Sequence, residues 1–238
     1  MDDLSGSRTT AALVAWAGAA LFMVSLNGGF VALLWGMHAN EQSSASALTN
    51  AVINALLFTV FALHHSLLAR TGAKQAVRSL VGEHLERSAY VWIASLLYLA
   101  VWTIWRELPG TLYRHTGPWA VVHWTVVAAG FVMTFAASRL IDPLDLAGVR
   151  QATRTTRESA LEVSGPYHLV RHPIYLGWLL IVFGAPEMTW TRFEFALVSS
   201  AYLFAAVPFE EKSLVDAFGD AYREYQRRVP WRIVPWVY

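Results

Sequence analysis

The chain has 238 residues, 55% of them hydrophobic, with eleven tryptophans and a mean hydropathy of +0.39, a composition outside the soluble globular norm and typical of a membrane protein. Its formal net charge is +1, and no basic cluster is dense enough to suggest nucleic acid. The sequence contains no cysteine, which excludes disulfides, thiolate metal sites, iron–sulfur clusters and a covalent cysteine nucleophile together.

A helix needs about 20 apolar residues to cross the bilayer core. Four windows meet that length: Ala11 to Trp35, Leu48 to Ala69, Tyr90 to Trp105 with its flanks, and Trp119 to Leu140. The first is preceded by Asp2 and Asp3 rather than a basic segment and is too long for a cleaved signal, so it is expected to stay as a helix. Two shorter runs, Ile174 to Ala185 and Phe193 to Phe209, flank the turn Pro186 to Trp190 and predict a helical hairpin that spans or only dips into the membrane. Beyond them Leu214, Phe218, Ala221, Tyr222, Tyr225 and Val229 recur at three- and four-residue steps until Pro230. That spacing predicts a closing amphipathic helix with Glu210 and Glu211 at its start and Arg223, Arg227 and Arg228 at its end, an order that suits the helix dipole. The fold class expected is all-α and integral to the membrane, with about six transmembrane helices, the last two a possible re-entrant hairpin, and a C-terminal amphipathic helix. One continuous domain is expected, a four-helix region over 1–140 followed by 141–238, and the polar linker Arg150 to Glu162 is the longest break in hydropathy.

Fifteen of the eighteen Lys and Arg residues fall before helix one, between helices two and three, between four and five, and after six. By the positive-inside rule both termini and the loops Arg70 to Arg87 and Arg139 to Arg171 are cytoplasmic, whether or not the hairpin crosses.

The chemistry is expected at GPYHLVRHPIYLGW, Gly165 to Trp178. Gly165-Pro166 breaks the preceding linker, and Pro173 suits the first position of a helix, where its missing N–H costs nothing. A helix N-terminus with Arg171 beside it favours a carboxylate or phosphate at the membrane edge. The competing reading makes Arg171 and His172 ordinary anchors to lipid headgroups. Glu210 and Glu211 leave helix six on the same face, where a carboxylate binds ribose hydroxyls or an ammonium group. Within helix two, Asn50, Asn54, His64 and His65 share an arc of roughly 100°. Such a polar stripe either makes interhelical hydrogen bonds or carries a functional histidine, and His65 is the candidate. No Gly-rich phosphate loop, spaced histidine metal motif or nucleophile elbow is present, and the adjacent pair His64-His65 is a poor metal clamp, so no metal site is expected.

Taken together, Gly165, Tyr167, Arg171, His172, Pro173, Tyr175 and Gly177 form a pattern that resembles the integral-membrane methyltransferase superfamily, whose members include isoprenylcysteine carboxyl methyltransferase and the phospholipid methyltransferases. A second block is complete from Glu210 and Glu211 through Leu214, Phe218, Gly219, Tyr222, Tyr225, Val229 and Pro230. In the N-terminal half FALHHSLLAR (61–70), ERSAYVWIASL (86–96) and DLAGVRQ (145–151) are similar to segments of bacterial methanethiol S-methyltransferases, so the resemblance spans nearly the whole chain. It departs from that pattern at position 64, where His stands for the more usual Gln. The resemblance implies S-adenosylmethionine as cofactor, held by the 141–238 segment through Tyr167, Arg171, His172, Pro173, Tyr175 and Glu211, with Leu161 and Val163 from the preceding strip and Gln151 from the linker. It also implies a small thiol as substrate and the inner membrane of a bacterium as location, and it leaves the oligomeric state open. His172 and Glu211 are expected at an exposed turn, where substitutions cost little stability.

The residues before the acidic pair, Val207-Pro208-Phe209, are apolar, whereas the isoprenylcysteine branch has an arginine there for its substrate carboxylate. That difference disfavours an isoprenylcysteine, and methylation of such a carboxylate or of a lipid amine stands as the alternative to thiol methylation. A thiol attacks as its thiolate, so a base or cationic neighbour is needed, and His65, Arg150 and His172 are the candidates. A sterol-reductase-like enzyme using NADPH and a non-enzymatic membrane subunit are the other readings.

Overall fold

The structure, a computed structural model, describes residues 2–40, 46–67, 71–141, 143–153 and 161–238. Much of the polar linker, residues 154–160, therefore lies outside the described residues. Two compact units make up the chain. One is formed by 1–36, 52–106 and 142–158, the other by 37–51, 107–141 and 159–238.

The first unit contains α1 (Asp2–Val31), extended by a wider π-helical turn over Ala32–Gly36, most of α2 (Ala47–Leu67), α3 (Thr71–Val81), α4 (Glu86–Ile104) and the short α6 (Pro143–Leu146) and α7 (Val149–Thr153). Helix α1 packs along α4 through glycine notches. A Cβ at Gly18 would stand 2.8 Å from Trp92 Nε1, and one at Gly29 would overlap the Trp102 ring. Lipid tails are as apolar as leucine, so close approach at small residues, rather than burial from water, joins such helices. Trp92 adds a hydrogen bond from Nε1 to the Val14 carbonyl at 3.0 Å. At one end Ala15 packs with Ala147, Val149 and Ala152 of the α6–α7 segment.

Helix α3 departs from the expected loop. Its eleven residues, TGAKQAVRSLV, are too few and too polar for a membrane window but sufficient for a surface helix. The start of α4 is capped from a distance: Gln151 Oε1 accepts the Arg87 N–H at 2.8 Å, satisfying one of the free donors of a helix N-terminus. The asparagines of α2 serve as backbone partners. Asn54 both accepts from Arg106 N–H and donates to the Arg106 carbonyl, each at 2.8 Å, and Asn50 donates to the Glu107 carbonyl at 3.2 Å.

The second unit holds α5 (Gly117–Ser138), α8 (Pro173–Phe183), α9 (Trp190–Phe218), α10 (Asp220–Arg228) and one antiparallel strand pair, β1 (Thr111–Arg114) with β2 (Glu187–Thr189). The strand pair occupies what the sequence reads as a plain hairpin turn. Helices α5 and α8 meet where Gly130 faces Gly177; a Cβ at either would lie 2.7 Å from the other's carbonyl oxygen.

Helix α8 begins at Pro173, as expected, but has only eleven residues, about 16 Å at 1.5 Å per residue against a hydrocarbon core of about 30 Å. Five helices among the described residues, rather than six, are long and apolar enough to cross: Thr9–Gly36, Ala47–Ser66, Glu86–Ile104, Gly117–Ser138 and Trp190–Phe218. The protein is all-α and integral to the membrane, the strand pair aside. The C-terminal helix also differs from expectation. Helix α9 runs 29 residues with Pro208 inside it, so Glu210 and Glu211 lie within α9 and not at the start of a separate amphipathic helix. The break falls at Gly219, whose φ of +56° favours glycine, and α10 follows.

Candidate active site

In the second unit the turn before α8 and the far end of α9 meet. Arg171 and His172, each 8% exposed, and Glu211, 5% exposed, are buried, contrary to the exposed turn expected from the sequence. Arg171 Nε donates to Glu211 Oε1 at 2.6 Å, and its Nη1 donates to the carbonyls of Val229 and Pro230 at 2.7 and 2.8 Å. The main chain is fastened as well: the N–H groups of Arg171 and His172 donate to the carbonyls of Trp231 and Arg232 at 2.9 and 2.8 Å. The other oxygen of Glu211 accepts from Arg232 Nε at 3.2 Å and from Gln226 Nε2 at 3.4 Å.

His172 stands between the two carboxylates. Its Nδ1 is 3.5 Å from Glu210 Oε2 and its Nε2 3.5 Å from Glu211 Oε1. The Tyr175 ring stacks on the imidazole at 5.3 Å, and its hydroxyl donates to Glu210 Oε1. Beside this pair lies a floor of two tyrosines and a valine, Tyr222, Tyr225 and Val229, against which Leu161, Val163 and Tyr167 pack. The Tyr225 hydroxyl donates to the Tyr167 carbonyl at 2.7 Å. Burial pushes the phenols of Tyr167, Tyr222 and Tyr225 above their ordinary range, so all three are neutral at physiological pH.

The structure thus brings together Leu161, Val163, Tyr167, Arg171, His172, Pro173, Tyr175 and Glu211 in one unit. His65, Arg150 and Gln151 belong to the other. There His65 Nδ1 and the Tyr90 hydroxyl share a hydrogen bond of 2.7 Å, and both side chains line a cavity of 390 Å³ among α1, α2 and α4, with Lys74 of α3 and Leu146 of α6 at its edge. The Arg87 guanidinium lies 5.8 Å from the centre of the Tyr90 ring at the same cavity. Arg150 lies on α7, and the amide oxygen of Gln151 is committed to the α4 cap. No group of three or more potential metal ligands occurs among the described residues.

Sequence reasoning misses Tyr90, Glu210 as the partner of Tyr175, and Arg232 as the second cation on Glu211. Glu210 is visible in the sequence only as half of an acidic pair. Nothing in the local sequence marks Arg232 or Tyr90, since both act through partners far along the chain.

No family model matches the sequence, and no solved structure matches it. The chain is similar to methanethiol S-methyltransferase 1 of Bradyrhizobium diazoefficiens, with 37% identity over 202 residues covering 82% of this chain and 70% of that protein. Methanethiol S-methyltransferase of Crocosphaera subtropica is 32% identical over 204 residues, covering 83% of this chain and 80% of its own. The Mycobacterium tuberculosis protein of the same name is 34% identical over 191 residues, 78% of each chain.

Proposed function

The chain belongs to the methanethiol S-methyltransferase family and is a methyltransferase, and from that premise we propose that it methylates methanethiol to dimethyl sulfide with S-adenosylmethionine as donor. The observation that carries the cofactor assignment is the 2.6 Å bond from Arg171 to Glu211, which ties two sequence blocks 40 residues apart into one buried site. The residues fit such a ligand. His172 Nδ1 and Nε2 each lie 3.5 Å from a carboxylate oxygen, of Glu210 and Glu211 respectively, with the Tyr175 ring stacked on the imidazole, a polar face suited to a charged ligand. Leu161, Val163 and Tyr167 offer an apolar wall to an aromatic base, and Glu210 and Glu211 offer negative charge to an ammonium or sulfonium.

When bound, the cofactor supplies a methyl group already activated on a sulfonium. The protein's part is binding, orientation and exclusion of water. Arg171 holds Glu211 in place, its Nε donating to that carboxylate and its Nη1 to two carbonyls. His172, Tyr175 and Glu211 hold the cofactor beside the start of α8 at Pro173. His65 accepts the thiol proton, the general-base role for which an imidazole is the usual side chain. Gln151 has a structural role at α4. By charge distribution both termini and the segment around Lys74 are cytoplasmic; a cysteine placed at position 74 should resist impermeant labelling in intact cells.

Incubating the purified protein with labelled S-adenosylmethionine and methanethiol, an isoprenylcysteine analogue or a phospholipid tests the reading. Labelled dimethyl sulfide is expected. Transfer only to the isoprenylcysteine or the lipid would overturn it.

A further inference from the structure

Resting on the reading that His65 accepts the thiol proton, we propose that the cavity of the first unit is the acceptor pocket and that it takes apolar thiols of aryl and benzyl size as well as methanethiol. Size is the first argument. An apolar cavity of about 150 Å³ holds a benzene ring, and this one measures 390 Å³. Methanethiol has two heavy atoms and leaves most of that space unfilled. Pockets of this size are the ones that bury organic ligands.

The lining supplies the second argument. Phe22 and Leu26 of α1, Phe61 of α2 and Val91 of α4 form apolar walls. Opposed to them are a few polar groups: the His65–Tyr90 pair, and Ser95, which is 2% exposed and whose hydroxyl makes no hydrogen bond. A mostly apolar wall with a few convergent polar groups is the pattern of a small-molecule site. The third argument is charge. Lys74 and Arg87 border the cavity, while the carboxylate of Glu86 is held by Arg78 at 2.8 Å. Cations near a thiol favour its ionised form. Tyr90 fixes the His65 ring through Nδ1 and so acts as a positioning residue.

The reaction balances without any further reagent. The S–H proton passes to His65 and then to water, the thiolate sulfur forms the new S–CH3 bond, and the sulfonium–methyl bond breaks with its electron pair left on the donor sulfur. A thioether, the demethylated donor and one proton result.

The test is a thiol panel with the full-length enzyme: methanethiol, benzyl mercaptan, thiophenol and the charged peptide thiol glutathione. Methylation of both aromatic thiols is expected, with a KM for benzyl mercaptan at least about tenfold below that for methanethiol, and none of glutathione. Ala94→Phe, which narrows the cavity, should lower the benzyl-to-methanethiol ratio of kcat/KM by about tenfold. It should also weaken binding of benzyl methyl sulfide, read by saturation-transfer NMR without cofactor. His65→Ala should lower turnover of benzyl mercaptan by about 10²- to 10⁴-fold, and that of thiophenol, a stronger acid that ionises unaided, at least about tenfold less. Methylation of methanethiol with neither methylation nor binding of the aromatic compounds would overturn this inference and leave the underlying reading standing. Failure to methylate any thiol would overturn the reading itself. Equal losses for both aromatic thiols in His65→Ala would remove the proton-acceptor role.

Discussion

The two units are held together by different means. Around Glu211 in the second, a buried carboxylate, two guanidiniums and four carbonyls converge, and nearly every polar atom has a fixed partner. In the first, α1 lies on α4 through glycine notches and the Trp92 indole hydrogen bond, and the space left beside them is mostly apolar. The contrast suits the two proposed ligands. A charged, water-soluble cofactor requires preset charges, and presetting them demands a network that leaves no ion uncompensated. A small apolar thiol requires room and one proton acceptor.

The largest effect that sharpens this contrast is expected from Glu211→Ala. It leaves Arg171 buried without its counter-ion, and losing one partner of such a pair costs about 3–5 kcal/mol. Denaturation in detergent should show it, together with loss of S-adenosylhomocysteine binding; a stability loss under about 1 kcal/mol would mean the network is no tighter than a surface pair. Replacing both members, Arg171→Met with Glu211→Leu, should restore most of the stability and none of the binding.

Gly29→Ala probes the first unit by the same measurement. The added methyl group meets the Trp102 ring, and overpacking of this kind costs about 1–3 kcal/mol. A neutral result would show that α1 and α4 slide freely and that the notch is not what joins them. Smaller again is Gln151→Ala, which uncaps α4 at a cost of about 0.5–2 kcal/mol. Its affinity for S-adenosylhomocysteine should stay unchanged, and a drop would return Gln151 to the cofactor site. The smallest effect belongs to Lys212→Ala: Lys212 and Asp216 form an exposed pair at 2.7 Å, worth no more than about 0.5 kcal/mol and screened by salt.

Local patterns carry much of this structure. The four long apolar windows announce four of the five helices long enough to span, the shorter run Phe193 to Phe209 announces only part of the fifth, and Pro173 fixes the start of α8 because its physical preference is local. The tyrosine steps from Tyr222 to Val229 mark the buried face of α10. Elements decided by distant partners are not legible. Glu210 and Glu211 read as the start of a separate helix, yet α9 continues through Pro208 and past them, as membrane helices tolerate when neighbours and local adjustment satisfy the freed carbonyl. Strand β2 exists only because Thr111 to Arg114 lies alongside it. Arg171 reads as an anion ligand from its place before a helix, and only the carbonyls of Val229 and Pro230 reveal what its donors hold. Likewise the polar stripe of α2 mixes two roles that periodicity cannot separate. Asn50 and Asn54 pair with main chain at residues 106 and 107, while His65 lines a cavity.

The segment from Val229 to Arg232 supplies four main-chain carbonyls to Arg171 and His172, and this orders events during biosynthesis. Membrane helices enter the bilayer as they leave the ribosome, each satisfying its own backbone. Arg171 is synthesised 58 residues ahead of Val229, the first of its carbonyl partners. Until synthesis passes Arg232, its guanidinium and the N–H groups of Arg171 and His172 lack those acceptors. A nascent chain halted at that stage is inserted but lacks the buried network around Glu211, so the proposed donor site stays unfinished until these residues are made.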